Sequence, residues 1–460
     1  MSALWTSDEI AAAVDGVASA PFEASGVTFD SREVEPGHLF IAMKGEVTDG
    51  HNYLDKAYAA GAAGTLVETA PAGAPHVRVA DTVRALNDLG RASRARTNAK
   101  VIGVTGSVGK TSTKEALFAA LDRAAPGSAH RSVKSYNNHT GVPLSLARMD
   151  RDVRYGVFEM GMNHEGELAA LTRLVRPHVA LVTAIASAHR EYFASEEAIA
   201  DAKGEIFEGL EPGGVAIIPY DSPHRDRLIA AARPHAAEIL TFGLGEGADV
   251  RATYVVRGPK GGTLATACLP GAQLSFTIGQ PGAHWASNAL AVLAAVHAVG
   301  GDLALAGLAL ADLGGLKGRG ERRRIRVDGG EALLIDESYN ANPASMAATL
   351  KVLGDETVDG RRIAVLGAMR ELGRETDGFH AALAEPMAAA QVDYAILVGP
   401  EMDALAKALG PTMKMAHVAD AAAAIGLARE AIGPGDAILV KGSNSIGLAA
   451  LVEALASGKS

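Results

Sequence analysis

Short, nearly uninterrupted apolar runs recur along the chain, separated by stretches whose apolar positions return every three or four residues. The runs at 100–105, 155–159, 179–185 and 214–218 lack the apolar–polar alternation of a sheet with one wet face. They predict strands buried on both faces. Helical spacing between them predicts crossovers, and hence a parallel α/β sheet. A second set at 332–336, 362–367, 394–399 and 437–441 repeats the pattern and predicts another doubly wound unit. The first hundred or so residues read differently, with short β-type runs at 27–29 and 39–42, a helical pattern at 53–63 and a charged helical stretch at 81–99. Thr6-Ser7-Asp8-Glu9 has the spacing of a capping box that opens a helix. Glycine-rich segments at 258–262 and 314–320 predict turns or a hinge.

Length and composition narrow the possibilities. The chain has 460 residues, ample for two to four buried cores. A net charge of -10 argues against a general nucleic-acid-binding face. The main basic exception, Arg319, Arg322, Arg323, Arg324 and Arg326, reads mostly as a solvated strand edge. Cys268 is the single cysteine, which excludes an internal disulfide framework and a thiolate metal site. Residues 1–9 carry no basic region followed by an apolar run, and the longest apolar stretch, 289–299, is too short for a bilayer. The expectation is a cytoplasmic protein without stable membrane insertion.

The sharpest chemical signal is Thr105-Gly106-Ser107-Val108-Gly109-Lys110-Thr111-Ser112, placed between a strand run and a helical pattern. Two glycines let backbone N–H groups turn toward a polyphosphate at a helix N-terminus. Lys110 supplies charge to the β- and γ-phosphates, and the Thr111 hydroxyl suits Mg²⁺. Val104 stands where the common phosphate loop has its first glycine, so the spacing here is Gly-x-x-Gly-Lys-Thr. No guanine-reading Asn-Lys-x-Asp and no kinase His-Arg-Asp occurs. Glu159 and His189 instead follow apolar strand runs, where carboxylate and imidazole would face the ligand crevice of an α/β sheet. Hard oxygen ligands suit Mg²⁺, and an imidazole can join them. Lys203 lies in a helical pattern.

In this order and spacing the chain resembles the Mur ligase superfamily over essentially its whole length. The residues that carry the resemblance are the loop above, Tyr136-Asn137-Asn138 with Gly141 and Pro143, Glu159, His189, Lys203, Gly282 with His284, Asn288, Gly318-Arg319, and the run from Asp336 to Pro343. Residues 136–143 and 336–343, together with Asp30-Ser31-Arg32, Pro36 to Phe40 and Lys44-Gly45, look most like the branch that adds D-alanyl-D-alanine. That resemblance implies an α/β fold in three domains. They are an N-terminal UDP-precursor domain at 1–97, a central P-loop-type parallel-sheet ATPase domain at 98–318, and a C-terminal Rossmann-like domain at 319–460.

The resemblance further implies ATP, two Mg²⁺ ions, and two small-molecule substrates, UDP-N-acetylmuramoyl-tripeptide and D-alanyl-D-alanine. A monomer without nucleic acid is the expectation. Thr111 and Glu159 would hold one Mg²⁺; His189 and Lys203 would help hold the other. An ammonium cannot ligate a cation, so Lys203 would act as a carbamate, N6-carboxylysine; the alternative is an unmodified lysine paired with the γ-phosphate or Glu205. Asn288 would contact adenine, Asp336 the ribose, and Asn340 also the nucleotide. Arg319 would reach the γ-phosphate when the domains close. Ser31, Arg32, Lys44, Asn137, Asn138, Tyr339, Asn342, Lys441 and Ser443 would contact the joined substrates. Lys110, Lys203, His189 and Arg319 form the implied catalytic set.

Departures from the family pattern are Trp285 where Asn is usual, Ala368 in place of Asp, and Asn444 in place of Arg. Two rival readings stand beside this one: the diamino-acid-adding ligase of the preceding step, whose Asp-Asn-Pro-Arg is absent here, and a non-catalytic ATP-binding homologue.

Overall fold

The computed structural model describes residues 3–45, 48–187, 191–258 and 261–457. Three large sheets organise the chain. The N-terminal sheet orders its strands Val17–Ala18, His76–Arg78, Gly64–Val67, His38–Ile41 and Gly26–Thr28, parallel except for the first pair. The helix Ser7–Val14 begins on the expected box: Glu9 N donates to the Thr6 hydroxyl at 3.2 Å, and Thr6 N donates to the Glu9 carboxylate at 2.9 Å. Asp81 caps the helix Thr82–Ala95 by accepting from Val83 N and Arg84 N. The helix expected at 53–63 is shorter, a 3-10 turn Gly50–Tyr53 and then Leu54–Ala59. Gly61 at φ +93° cannot extend it.

Nine strands form the central sheet. Lys100–Thr105 lies inside it, between Tyr155–Glu159 and Val179–Val182, with all three parallel. Successive connections leave this strand toward opposite sides, so a crevice opens at its C-terminal end. Beyond Val215–Pro219 and Glu238–Gly243 the sheet continues with Val250–Arg257, Thr263–Leu269 and Ala272–Ile278. Those last pairings are antiparallel, and the glycines at 258–262 serve the turn between two of the strands. The apolar stretch at 289–299 is the C-terminal half of Ala283–Ala298 with its C-cap, buried from Ala289 to Val296 against this sheet. No helix among the described residues is long and apolar enough to cross a membrane.

The third sheet orders Glu321–Val327, Gly330–Glu337, Ala437–Lys441, Arg362–Gly367, Tyr394–Val398 and Met415–Val418. Four of the five pairings are parallel. The arginine cluster does lie on the edge strand, as its spacing suggested. Arg319 precedes that strand; on it, Arg322 pairs with the buried Glu356 at 2.7 Å and Arg323 with Glu321 at 2.8 Å.

Removing the Thr6 hydroxyl leaves an orphan N–H at the start of the first helix. Thr6→Ala is expected to lower local stability by about 1 kcal/mol. Amide hydrogen exchange across Ser7–Val14 should speed accordingly, while the central sheet keeps its protection.

Candidate active site

The phosphate loop is shaped by its neighbours. Gly109 takes φ +85° as the N-cap of the helix Lys110–Asp122, and a methyl group there would sit 3.0 Å from the Asn288 amide. Gly106 takes φ +148°, and a Cβ would overlap the Thr183 hydroxyl. That hydroxyl lies 2.6 Å from the Val108 carbonyl and 3.2 Å from that of Thr105, so the next strand's end fixes the loop. Ser107 adds a second tie: its N–H donates to the Ala184 carbonyl at 2.8 Å, and its hydroxyl to that of Ala186 at 3.0 Å. Lys110 folds back to donate to the Gly106 carbonyl at 2.6 Å. Burial holds its pKa below the ordinary value, and nearby Glu159 opposes that shift.

Above the loop lies a cavity of about 750 Å³ shared by the central and C-terminal sheets. Ser107 to Ser112, Asn137, Glu159, Lys203 and Asn288 line the central side; Arg319, Tyr339, Asn340, Lys441 and Ser443 line the other. Arg319 stacks its guanidinium 4.2 Å from the Tyr339 ring centre, and one of its nitrogens lies 3.4 Å from the Ser135 hydroxyl. It therefore already spans the two blocks in this arrangement.

Glu159 is almost completely buried. One carboxylate oxygen accepts from the Asn137 amide at 2.8 Å; the other has no hydrogen-bond partner among the described residues. An ionised oxygen left that way is costly unless a cation satisfies it. With the Thr111 hydroxyl in the same wall, the donor set is hard oxygen, which suits Mg²⁺. Among the described residues no three of His, Cys, Asp and Glu cluster as a ready-made metal cage. His189 lies outside the described residues.

Lys203 is buried, and burial together with the Lys110 charge drives its pKa well below the ordinary lysine value. Its alternative partner is otherwise engaged: the Glu205 carboxylate accepts from Gly166 N at 2.7 Å and Ala169 N at 3.0 Å. The Lys203–Glu205 pair expected as one option is not formed, because those backbone donors take the carboxylate.

Other expected residues sit differently than the sequence suggested. Asp336 is buried behind the cavity, not in its wall, and accepts from Gly318 N at 2.8 Å and from Ser338 N at 3.0 Å. It builds the turn that presents Arg319 and Tyr339. Asn138 also stays out of the wall, because its side chain accepts from Gly141 N at 2.9 Å at the start of a helix. Asn342 reaches the wall, but its side-chain oxygen caps Pro343–Gly354 through Ser345 N at 2.9 Å. Ser31, Arg32 and Lys44 belong to the N-terminal block and do not line this cavity. Arg32 is exposed and pairs with Asp30 at 2.7 Å.

The sequence reading missed Glu337, Thr183 and Lys114. Glu337 faces Lys441 at 3.5 Å, while the Lys441 ammonium also donates to the Asn340 carbonyl at 2.9 Å. Burial pushes Glu337 up and Lys441 down, each partly offset by the other. Trp285 lies in the wall beside Asn288. Ala368 does not, whereas Asn444 does.

Models of the Mur ligase middle domain, the Mur ligase glutamate ligase domain and the Mur ligase family catalytic domain match residues 104–296, 318–444 and 23–94. The chain is 36% identical to the UDP-N-acetylmuramoyl-tripeptide--D-alanyl-D-alanine ligase of Escherichia coli, covering 93% of each. Together these matches place the chain in the Mur ligase family. Among solved structures it is similar to MurF from Acinetobacter baumannii, with a TM-score of 0.85, 31% identity and coverage of 98% of this chain and 99% of that one. MurF from Thermotoga maritima in complex with ADP superposes with a TM-score of 0.78 at 26% identity, covering 94% and 97%.

Gly106→Ala tests the loop. Its Cβ must displace Thr183, so nucleotide affinity measured by calorimetry should fall at least tenfold, equivalent to about 1.4 kcal/mol, with little change in the unfolding temperature.

Proposed function

We propose that this chain is an ATP-dependent amide ligase that adds D-alanyl-D-alanine to UDP-N-acetylmuramoyl-tripeptide in peptidoglycan precursor synthesis. One observation carries the chemistry: Lys110, Arg319 and the unsatisfied oxygen of Glu159 converge on one cavity. The choice of substrates rests on whole-length similarity to ligases of that name. The reading brings a cytoplasmic location with it, since ATP and nucleotide-linked precursors are made there.

The reaction must bring two anions together, the peptide carboxylate and the triphosphate. The carboxylate oxygen attacks the γ-phosphorus, the bond to the β-phosphate bridging oxygen breaks, and ADP leaves. The resulting acyl phosphate is attacked by the amine of D-alanyl-D-alanine; loss of phosphate and a proton leaves the amide. Lys110 and Arg319 offset the repulsion along this path. Thr111 and Glu159 would hold one Mg²⁺, and carbamylated Lys203 would help hold another. Bound there, the cations supply charge neutralisation of the phosphates. The depressed pKa of Lys203 favours the neutral amine that CO₂ requires. Asn340, Tyr339, Lys441 and Ser443 face the cavity from the C-terminal side, where they would steer the acceptor and close the site to water. Ser31, Arg32 and Lys44 would hold the UDP end outside this cavity.

Phosphate release tests the reading. It should require UDP-tripeptide and D-alanyl-D-alanine together. Turnover with a diamino acid and the dipeptide precursor would move the assignment to the preceding step, and no turnover with any amine would favour a non-catalytic homologue.

Lys203→Ala should lose at least a hundredfold in kcat, on the order of 2.7 kcal/mol, and regain part of it with millimolar formate or acetate. Near-normal turnover of the variant would end the carbamate role. In the wild type the neutral amine, and with it CO₂-dependent activation, should be lost as pH falls through the lowered Lys203 pKa. Preincubation with bicarbonate across a pH series measures this.

A further inference from the structure

Lys114 is fully buried one turn into the helix that follows the phosphate loop, and the reaction above gives it no task. Its ammonium donates to the Lys134 carbonyl at 2.7 Å and meets the Glu115 carboxylate at 3.0 Å. It also stands 3.9 Å from the unsatisfied oxygen of Glu159. A buried ammonium is tolerated only when paired. Here the pairing joins three separate segments.

The segment it grips, residues 132–137, is fastened to the end of the Glu159 strand on several sides. Glu159 N donates to the Ser132 hydroxyl at 3.0 Å, the Asn137 amide donates to the Glu159 carboxylate, and Gly161 N donates to the Asn137 carbonyl at 2.8 Å. Lys134 itself sits in the left-handed region at φ +52°, unusual for a residue with a side chain. From there its side chain leaves the cavity and pairs with Glu33 of the N-terminal block. Tyr136 donates to the same carboxylate at 3.3 Å, and Arg148 lies 3.6 Å from it. Glu33 N in turn donates to the Asp30 carbonyl at 2.9 Å, directly beside Ser31 and Arg32.

We propose that Lys114 is a positioning residue: it fixes Glu159 against the 132–137 segment and, through Lys134 and Glu33, makes the hold on the cation responsive to the N-terminal block. The proposal rests on reading Glu159 as a cation ligand. It adds a continuous route, part side chain and part backbone, from the UDP-precursor side to the nucleotide side.

The test is the Mg²⁺ concentration that half-saturates ADP binding, measured by calorimetry in wild type, Lys114→Met, Lys114→Arg and Glu33→Gln. Lys114→Met should raise it about tenfold and Lys114→Arg less. Glu33→Gln, whose carboxylate sits outside the cavity, should raise it about threefold, a shift typical of energetic coupling through a packed network. ADP affinity without Mg²⁺ should stay within about twofold, because the loop N–H groups are untouched. An unchanged or lowered Mg²⁺ requirement in Glu33→Gln would overturn the proposal, as would a full effect confined to Lys114→Met. Should Lys114→Met fail to fold, Lys134→Met takes its place with the same expected direction and the same overturning result. If wild-type ADP binding ignores Mg²⁺, the cation reading of Glu159 fails first, which separates the two claims.

Discussion

A carboxylate oxygen that meets no hydrogen-bond donor among the described residues, buried at the end of a parallel strand, is the feature around which the rest of the site is arranged. It cannot be left permanently in that condition at low energetic cost, and a permanent partner would fill the place that the proposed cation would take. The surrounding structure keeps it oriented, with one oxygen left open among the described residues. Asn137 holds one oxygen, Lys114 stands near the other beyond hydrogen-bonding distance, and Ser132 fixes the backbone. A buried anion so prepared has a use when its partner arrives with a polyphosphate and leaves with the product.

The same electrostatic problem explains why the cavity is divided between two sheets. Cations on the central side alone could bind a nucleotide, but a second anion brought to the γ-phosphate needs charge from another direction. In the proposed reaction Arg319 would supply it from the start of the C-terminal block, where it is held by stacking on Tyr339 and a turn that Asp336 builds. Lys441 and Glu337 form a further buried pair in that wall, 3.5 Å apart; their attraction works against the desolvation each suffers.

Much of this was legible in the sequence because the signals were local. The buried parallel strands announced themselves by unbroken apolar runs, and the loop by glycine spacing between strand and helix. Thr6 with Glu9 and the Asn342 region carried cap chemistry that needs only three residues to read, although Asn342 was assigned to substrate instead. The antiparallel extension from Val250 to Ile278 was not legible. Thr263–Leu269 alternates buried and half-buried positions, and Val250–Arg257 is mostly exposed with Arg251 and Arg257 near its ends, so neither shows the long buried run that marks a central strand. Lys114 and Glu337 escaped notice for another reason: a charged residue beside charged neighbours reads as surface, and only the fold shows which is buried. Asp336 and Asn138 both accept from backbone N–H groups, a geometry that chemistry-seeking spacing does not distinguish from ligand contact.

The most direct measurement compares ADP binding to wild type and Glu159→Gln, with and without Mg²⁺, by calorimetry. The glutamine keeps the shape of the side chain and its contact with Asn137 but removes the ionised oxygen. Wild type should bind ADP at least tenfold tighter with Mg²⁺, and the variant should bind equally with and without it, at the metal-free wild-type affinity. A variant that retains the full Mg²⁺ enhancement would show that the buried oxygen does not wait for a cation.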